Sequence, residues 1–292
     1  MLFHHFAVPY LVVGCAVDPA VDKLREEIVE PVPIDAESLD LLLLARRISL
    51  DVRAKYPSEN ELNSLENNPD ELDSLIESWM QEKAHQEQLM SLFSALLLTK
   101  VDEFNVDHQD YYLDSVLAFP FIKSVGEEPL RLMTHVASND TPWTDIITVD
   151  YTMANELLLD IWPLEAIENE PSNDEWVKAR YTDGRPAGGI IMSNGLWWRH
   201  YTTPNNKSRS RASFLTKLLV CDDHLAREID FQPEGLADEE DIELLVSTEP
   251  SCIGCHYTLD PVAASLYGFW QHDIHDVVEL DHYHPERERE GE

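Results

Sequence analysis

The chain has 292 residues, enough for one large domain or two modest ones, and its 43% apolar and 9% aromatic content can build a core, which excludes a disordered acidic tail. Its 56 acidic residues against 21 basic leave a net charge of −35, a surface that repels nucleic acid and anionic headgroups and removes both as partners. Such a surface suits solubility in high salt or docking to a cationic partner, and four cysteines are too few for a disulfide framework.

At the N-terminus, Phe6 to Val13 is apolar but too short to span a bilayer as a helix. It ends in Leu11-Val12-Val13-Gly14-Cys15, which resembles a bacterial lipobox. Residues 1–14 then read as a signal peptide and Cys15 as the residue that carries the lipid. No Lys or Arg precedes the run and Pro9 interrupts it, so the competing reading is a cytosolic chain whose first segment packs as a strand or is disordered. Residues 15–34, with prolines at 19, 31 and 33, read as a tether.

From Asp35 the pattern turns helical, with Asp35 available as a cap and Leu39 to Leu44, Ile48 and Leu50 as an apolar face. Ser58 with Glu61 forms a capping box, and Asn68-Pro69-Asp70 ends that helix and opens another. Leu72, Leu75, Ile76, Trp79, Met80, Leu89, Leu92, Phe93 and Leu96 recur at three- and four-residue steps, predicting one or two long helices to about Lys100 with Met80 and Met90 in the core. A helical domain over 35–125 is expected. Residues 126–292 are expected to form a second, helical and loop-rich domain, with short helices near Met153 to Leu159 and over Ser213 to Leu225. The stretch Ile190 to Tyr201 fits a buried strand or a short helix, and Cys221 in its apolar run reads as a buried free thiol. The fold class is mainly α.

Cys252-Ile253-Gly254-Cys255-His256 is a C-x-x-C-H run, of which random placement in this composition predicts about 0.002 copies. Its spacing is that of covalent haem attachment: two thiols add across the two vinyl groups of one porphyrin, and the adjoining imidazole becomes an axial ligand of the iron. Cys252, Cys255 and His256 are therefore the expected site of a single haem c, with His256 as the metal ligand. The alternatives are a zinc knuckle, which lacks a second ligand pair, and a redox dithiol, which lacks a βαβ context. Thioether attachment occurs outside the cytoplasm in bacteria, which favours an exported, lipid-anchored chain of the periplasm or outer membrane.

No Met follows His256, so a small cytochrome with its ligand Met downstream is not expected. Candidates for the sixth position of the iron are His272, His275, His282 and His284 downstream and Met153, Met192, His200 and His224 upstream. His284 and His282 rank first, because Asp281 and Glu286 are near enough in sequence to orient an imidazole. Eight of the 21 basic residues lie between Lys178 and Lys217, where Asp183 is the one acid. Three readings of this island stand together: Arg209 or Arg211 meeting haem propionates with Trp197 or Trp198 on the porphyrin face, pairing with the chain's own acids, or docking an anionic partner.

Two stretches carry a family resemblance. One is Ala45-Arg46-Arg47-Ile48-Ser49-Leu50-Asp51-Val52-Arg53 with Tyr56-Pro57-Ser58 and Glu61-Leu62. The other runs from Asp183-Gly184-Arg185-Pro186-Ala187-Gly188 through Arg209 and Leu218-Leu219-Val220-Cys221 to the haem motif, Asp260-Pro261 and Tyr267-Gly268-Phe269. Together they resemble the planctomycete-type cytochrome c-like family, haem proteins of bacterial envelopes built of domains of unknown function. The resemblance spans about 35–290 and implies a mostly helical exported c-type cytochrome, with no substrate attached. The functional expectation is an electron carrier working with a cationic redox partner. A peroxidase- or oxidase-like haem enzyme with an open distal site, and a structural lipoprotein stapled by haem or zinc, are the rivals.

Overall fold

The computed structural model describes residues 40–99, 106–169, 171–172, 175–203, 206–227, 239–269 and 282–291. The signal peptide and tether expected over 1–34, with Cys15, lie outside the described residues, as do His272 and His275. The chain is mainly helical with one small three-stranded sheet, the expected fold class.

Helix α1 (Leu41–Arg53) starts at Asp40, whose side chain accepts from the Leu42 amide at 2.9 Å; Asp35, the cap expected from the sequence, lies outside the described residues. Helix α2 (Glu59–Asn67) carries the expected capping box, with Ser58 and Glu61 satisfying each other's backbone N–H groups. A 3₁₀ turn over Pro69–Glu71 leads into α3 (Leu72–Met80), followed by α4 (Lys83–Leu97). Ala45, Leu65 and Trp79 form the core of these helices. Met80 is 46% exposed and does not join that core, because it ends α3 one position, about 100° of helix, beyond the buried Trp79.

Arg53 is buried beside that core. It stacks 4.3 Å from the Trp79 ring centroid, takes both Glu61 oxygens at 3.1 and 3.0 Å, and also pairs with Glu82 and Ser49. The Trp79 indole N–H donates to Glu61 Oε1 at 2.6 Å, so one carboxylate closes the cap, neutralises the guanidinium and satisfies the indole. This network ties Ser49, Arg53, Ser58 and Glu61 together: a buried guanidinium is tolerated only when its charge and donors are met.

Helix α5 (Ala118–Ser138) runs through Pro129, so the domain boundary expected between 125 and 126 falls inside a continuous helix. After the short α6 (Asp145–Thr148) come β1 (Thr152–Ala154), α7 (Glu156–Ile161), β2 (Leu164–Ala166) and β3 (Val177–Tyr181). The helix expected near Met153 thus starts later, at the Asn155 cap, which accepts from the Leu158 amide at 3.1 Å. The antiparallel sheet has the order β1-β3-β2, with Thr152 opposite Ala179 and Leu164 opposite Tyr181. It encloses Ala154, Leu158 and Ala179 with Phe121 and Val125 of α5. Helix α8 (Asn194–Arg199) resolves the strand-or-helix ambiguity of that stretch as helix. A Cβ on Gly195 would lie 2.1 Å from the Val125 carbonyl oxygen, so the close approach of α8 to α5 requires glycine there.

Two compact units emerge. One holds Pro33–Arg199 with Phe269–Pro285, and the other His200–Gly268 with Glu286–Glu292. In the second unit, α9 (Arg209–Val220), a 3₁₀ turn (His224–Ala226), α10 (Glu239–Thr248) and α11 (Pro250–Ala264) pack together. Ala212 on α9 meets Leu259 and Ala263 on α11, and the two small alanines let the helices approach closely. Cys221 caps α9 in a left-handed conformation, half-buried, and is disulfide-bonded rather than the free thiol expected, so its apolar neighbours in sequence did not carry it into the core. No described helix is long and apolar enough to cross a membrane.

Candidate functional site

The C-x-x-C-H run opens α11, where Pro250 occupies the first turn and needs no hydrogen-bond acceptor for its nitrogen. Helical spacing puts Cys252 and Cys255 one turn apart on one face, and both are free thiols, half-buried. His256 follows directly, and four residues on, one further turn along the same face, stands Asp260.

His256 Nδ1 lies 3.0 and 3.2 Å from the two Asp260 oxygens. Arg209 of α9 clamps the same carboxylate with two bonds, Nε at 2.8 Å and Nη2 at 3.1 Å. Burial works to raise the Asp260 pKa, but the Arg209 and His256 hydrogen bonds outweigh it and hold the group below the usual carboxylate range. Asp260 is therefore ionised at neutral pH and can only accept, which places the imidazole proton on Nδ1. In the neutral ring this tautomer leaves the lone pair on Nε2, which no hydrogen bond from the described residues occupies. At the other thiol-bearing turn, Arg227 donates to the Gly254 carbonyl at 3.3 Å and reaches Cys255 Sγ at 3.7 Å, while Asp222 grips it with two bonds of 2.6 and 2.7 Å.

The surroundings are apolar and open. Leu225 is 87% exposed and Tyr257 80%, and Leu219, Val220, Leu244 and Ile253 of the same unit also present large apolar surface. The buried apolar side chains among the described residues of that unit are Ala212, Leu215, Leu259, Ala263 and Leu266. A flat apolar group several rings wide would cover what the side chains leave open. Among the described residues, no group of three or more His, Cys, Asp or Glu could hold a metal ion on its own. A porphyrin brings four of the iron's ligands with it and asks the protein for thiols and an imidazole, which this face offers.

Several side chains of the basic island are engaged one by one within their own units. Arg209 is committed to Asp260, Arg180 to Asp150, Arg185 to Asp183 and Lys217 to Asp223, the pairing with the chain's own acids. Arg211 is fully buried and donates from Nε to the His200 carbonyl at 2.8 Å, and burial lowers its pKa to about 9. Trp197 and Trp198 belong to the unit that does not contain the motif, where Trp197 donates to the Ile191 carbonyl at 2.7 Å and Trp198 packs edge-on to Tyr111. Met153, Met192, His282 and His284 fall in that unit too, the two histidines flanking a buried Tyr283 that packs edge-on against Phe269. His200 and His224 share the motif's unit.

Sequence reasoning missed three groups. Asp260 carried a legible signal, its four-residue spacing from His256. Arg227 carried none, since a loop brings it to Cys255. Glu128 was one of 56 acids, yet it is fully buried where α5, β1, β3 and α8 meet. It accepts from the Thr152 hydroxyl at 3.0 Å, the Tyr181 hydroxyl at 2.7 Å and the Gly195 amide at 2.7 Å. Burial pushes its pKa up to about 7 against those bonds. Thr152, Tyr181 and Arg185 also line a cavity of about 220 Å³ in that unit. Comparison with family models, curated proteins and solved structures finds no match for this chain.

Proposed function

We propose that this chain is an exported c-type cytochrome that carries electrons on a single haem c held by Cys252 and Cys255, with His256 as axial ligand. One observation carries the reading: two free thiols one helical turn apart, followed by an imidazole whose Nδ1 is tied to Asp260 and whose Nε2 is not engaged. Bound there, the haem supplies a one-electron couple. The protein's part is to orient the ring of His256 through Asp260 and Arg209, and to strengthen its basicity through the negative charge at Nδ1. A more basic imidazole favours the ferric state and lowers the potential. The exposed apolar side chains of the same unit would exclude water from the porphyrin face.

The remaining parts of the reading follow from chemistry outside the site. Thioether attachment places the protein in the bacterial envelope, the charge of −35 suits a cationic redox partner, and Cys15 is the proposed point of lipid attachment. Mass spectrometry of the mature N-terminus tests for the lipid on Cys15.

The test of the haem is an absorption spectrum of the purified chain, oxidised and reduced, with a pyridine haemochrome assay on it and on the Cys252→Ala/Cys255→Ala double variant. A c-type haemochrome in the wild type, lost from the variant after acid extraction, is the expected result. A wild-type chain matured in a host competent for haem attachment that carries no covalent haem overturns the reading.

A further inference from the structure

His224 is the buried group in the motif's unit that the description above leaves unused. It is 4% exposed, at the start of the 3₁₀ turn packed on α9. Neither Nδ1 nor Nε2 has a hydrogen-bond partner. The nearest charge is Asp222, whose Oδ2 lies 3.8 Å from Nε2, beyond hydrogen-bonding distance. An imidazole withdrawn from water with both nitrogens unmet is costly, and native folds retain such groups where something else engages them.

Its placement says what that is. Asp222, the carboxylate beside His224, is the one that grips Arg227, and Arg227 touches Cys255 Sγ and the Gly254 carbonyl. One short stretch, 222–227, thus presents an unengaged imidazole and a contact to the haem-bearing cysteine. The other histidine of the unit, His200, has its ring stacked on Phe214 with centroids 3.6 Å apart. No Met follows Met192 in the sequence, so this unit's described residues offer no thioether.

We infer that His224 is the second axial ligand of the haem iron, opposite His256, an inference that rests on the haem reading above. One ring nitrogen binds iron and the other carries the proton, for which Asp222 is the adjacent acceptor after a small movement. Both axial imidazoles would then be oriented by carboxylates, Asp260 and Asp222, each also held by an arginine. Two imidazole ligands give a six-coordinate, low-spin, low-potential centre with no vacant position. The site is then an electron carrier and not a peroxidase or oxidase.

The experiment uses the full chain with haem attached. Pyridine haemochrome of the wild type reads out the haem alone; its absence removes the haem reading and this inference with it. With haem present, ferric electron paramagnetic resonance and near-infrared magnetic circular dichroism of the wild type should show low-spin bis-imidazole iron. His224→Ala should convert the ferric signal to high spin, confer cyanide binding, and return to low spin on adding imidazole. His224→Met, which fills the same space, should stay six-coordinate with a raised midpoint potential. A high-spin wild type, or a bis-imidazole spectrum unchanged in both variants, overturns the assignment of His224 while leaving the haem in place.

Discussion

Glu128→Gln isolates the most strongly buried acid among the described residues. In the folded protein burial raises the Glu128 pKa from 4.5 to about 7, despite the bonds from Gly195, Tyr181 and Thr152. The unfolded chain releases that proton near 4.5 while the folded chain keeps it to about 7. Between these values the native state binds more protons, so stability is highest below the unfolded value and falls as pH rises through the window. From 4.5 to about 7, at roughly 1.4 kcal/mol per pH unit, the loss is about 3 kcal/mol. Gln has nearly the same shape, keeps an oxygen for the Gly195 amide and does not titrate. Guanidinium unfolding followed by circular dichroism at pH 4.5, 5.5, 6.5 and 7.5 reads the effect as the difference between wild type and variant, which cancels the other titrating groups. The variant should gain about 3 kcal/mol relative to wild type across that range. A difference that stays constant with pH refutes the argument that burial governs this carboxyl.

Three further outcomes test other parts of the structure. At Glu61 burial acts to raise the pKa, but Arg53, Ser58 and Trp79 lower it to about 2, so its contribution is full above 4.5 and lost as pH falls from 4.5 towards 2. Glu61→Gln, which can keep the capping box, should lower stability at neutral pH and flatten this acid limb by about 3 kcal/mol, read from unfolding midpoints between pH 5 and 2. Gly195→Ala should cost about 1–3 kcal/mol and lower the Tm, since its Cβ would press into the Val125 carbonyl; an unchanged Tm would show that α8 can shift away from α5. Asp260→Asn exchanges a charged for a neutral hydrogen bond to His256, about 1 kcal/mol or roughly 40 mV in a one-electron couple, and should raise the midpoint potential by that order with haem content unchanged.

Legibility followed range. The capping box of Ser58 and Glu61, the break at Asn68-Pro69-Asp70 between α2 and α3 and the thiol–thiol–imidazole run are local patterns, set by neighbours within four residues, and each could be read directly, whereas the split of α3 from α4 stayed open. The three strands of three to five residues could not, because β1, β2 and β3 exist through pairing across separations of up to about thirty residues and carry too few positions to show a period. Met80 misled for a related reason: a helical stripe is several residues wide, and only packing decides that Trp79 is its buried edge. The arginines between Lys178 and Lys217 looked like one patch in sequence, but folding sends Arg180, Arg185 and Arg209 to three different acids and Arg199 and Arg211 to backbone carbonyls.

What the sequence determined by itself is the local chemistry: the thiol–thiol–imidazole run, the acidic composition, and a helical fold implied by caps and apolar spacing. Covalent attachment needs only a fixed short spacing, and a short spacing survives any tertiary arrangement. Tertiary structure alone decided what surrounds those groups. It set Asp260 between His256 and Arg209, brought Arg227 to Cys255, buried Glu128 where four elements meet, and closed water away from His224. Burial and long-range pairing arise from the packing of distant segments, and no local window of the chain contains them.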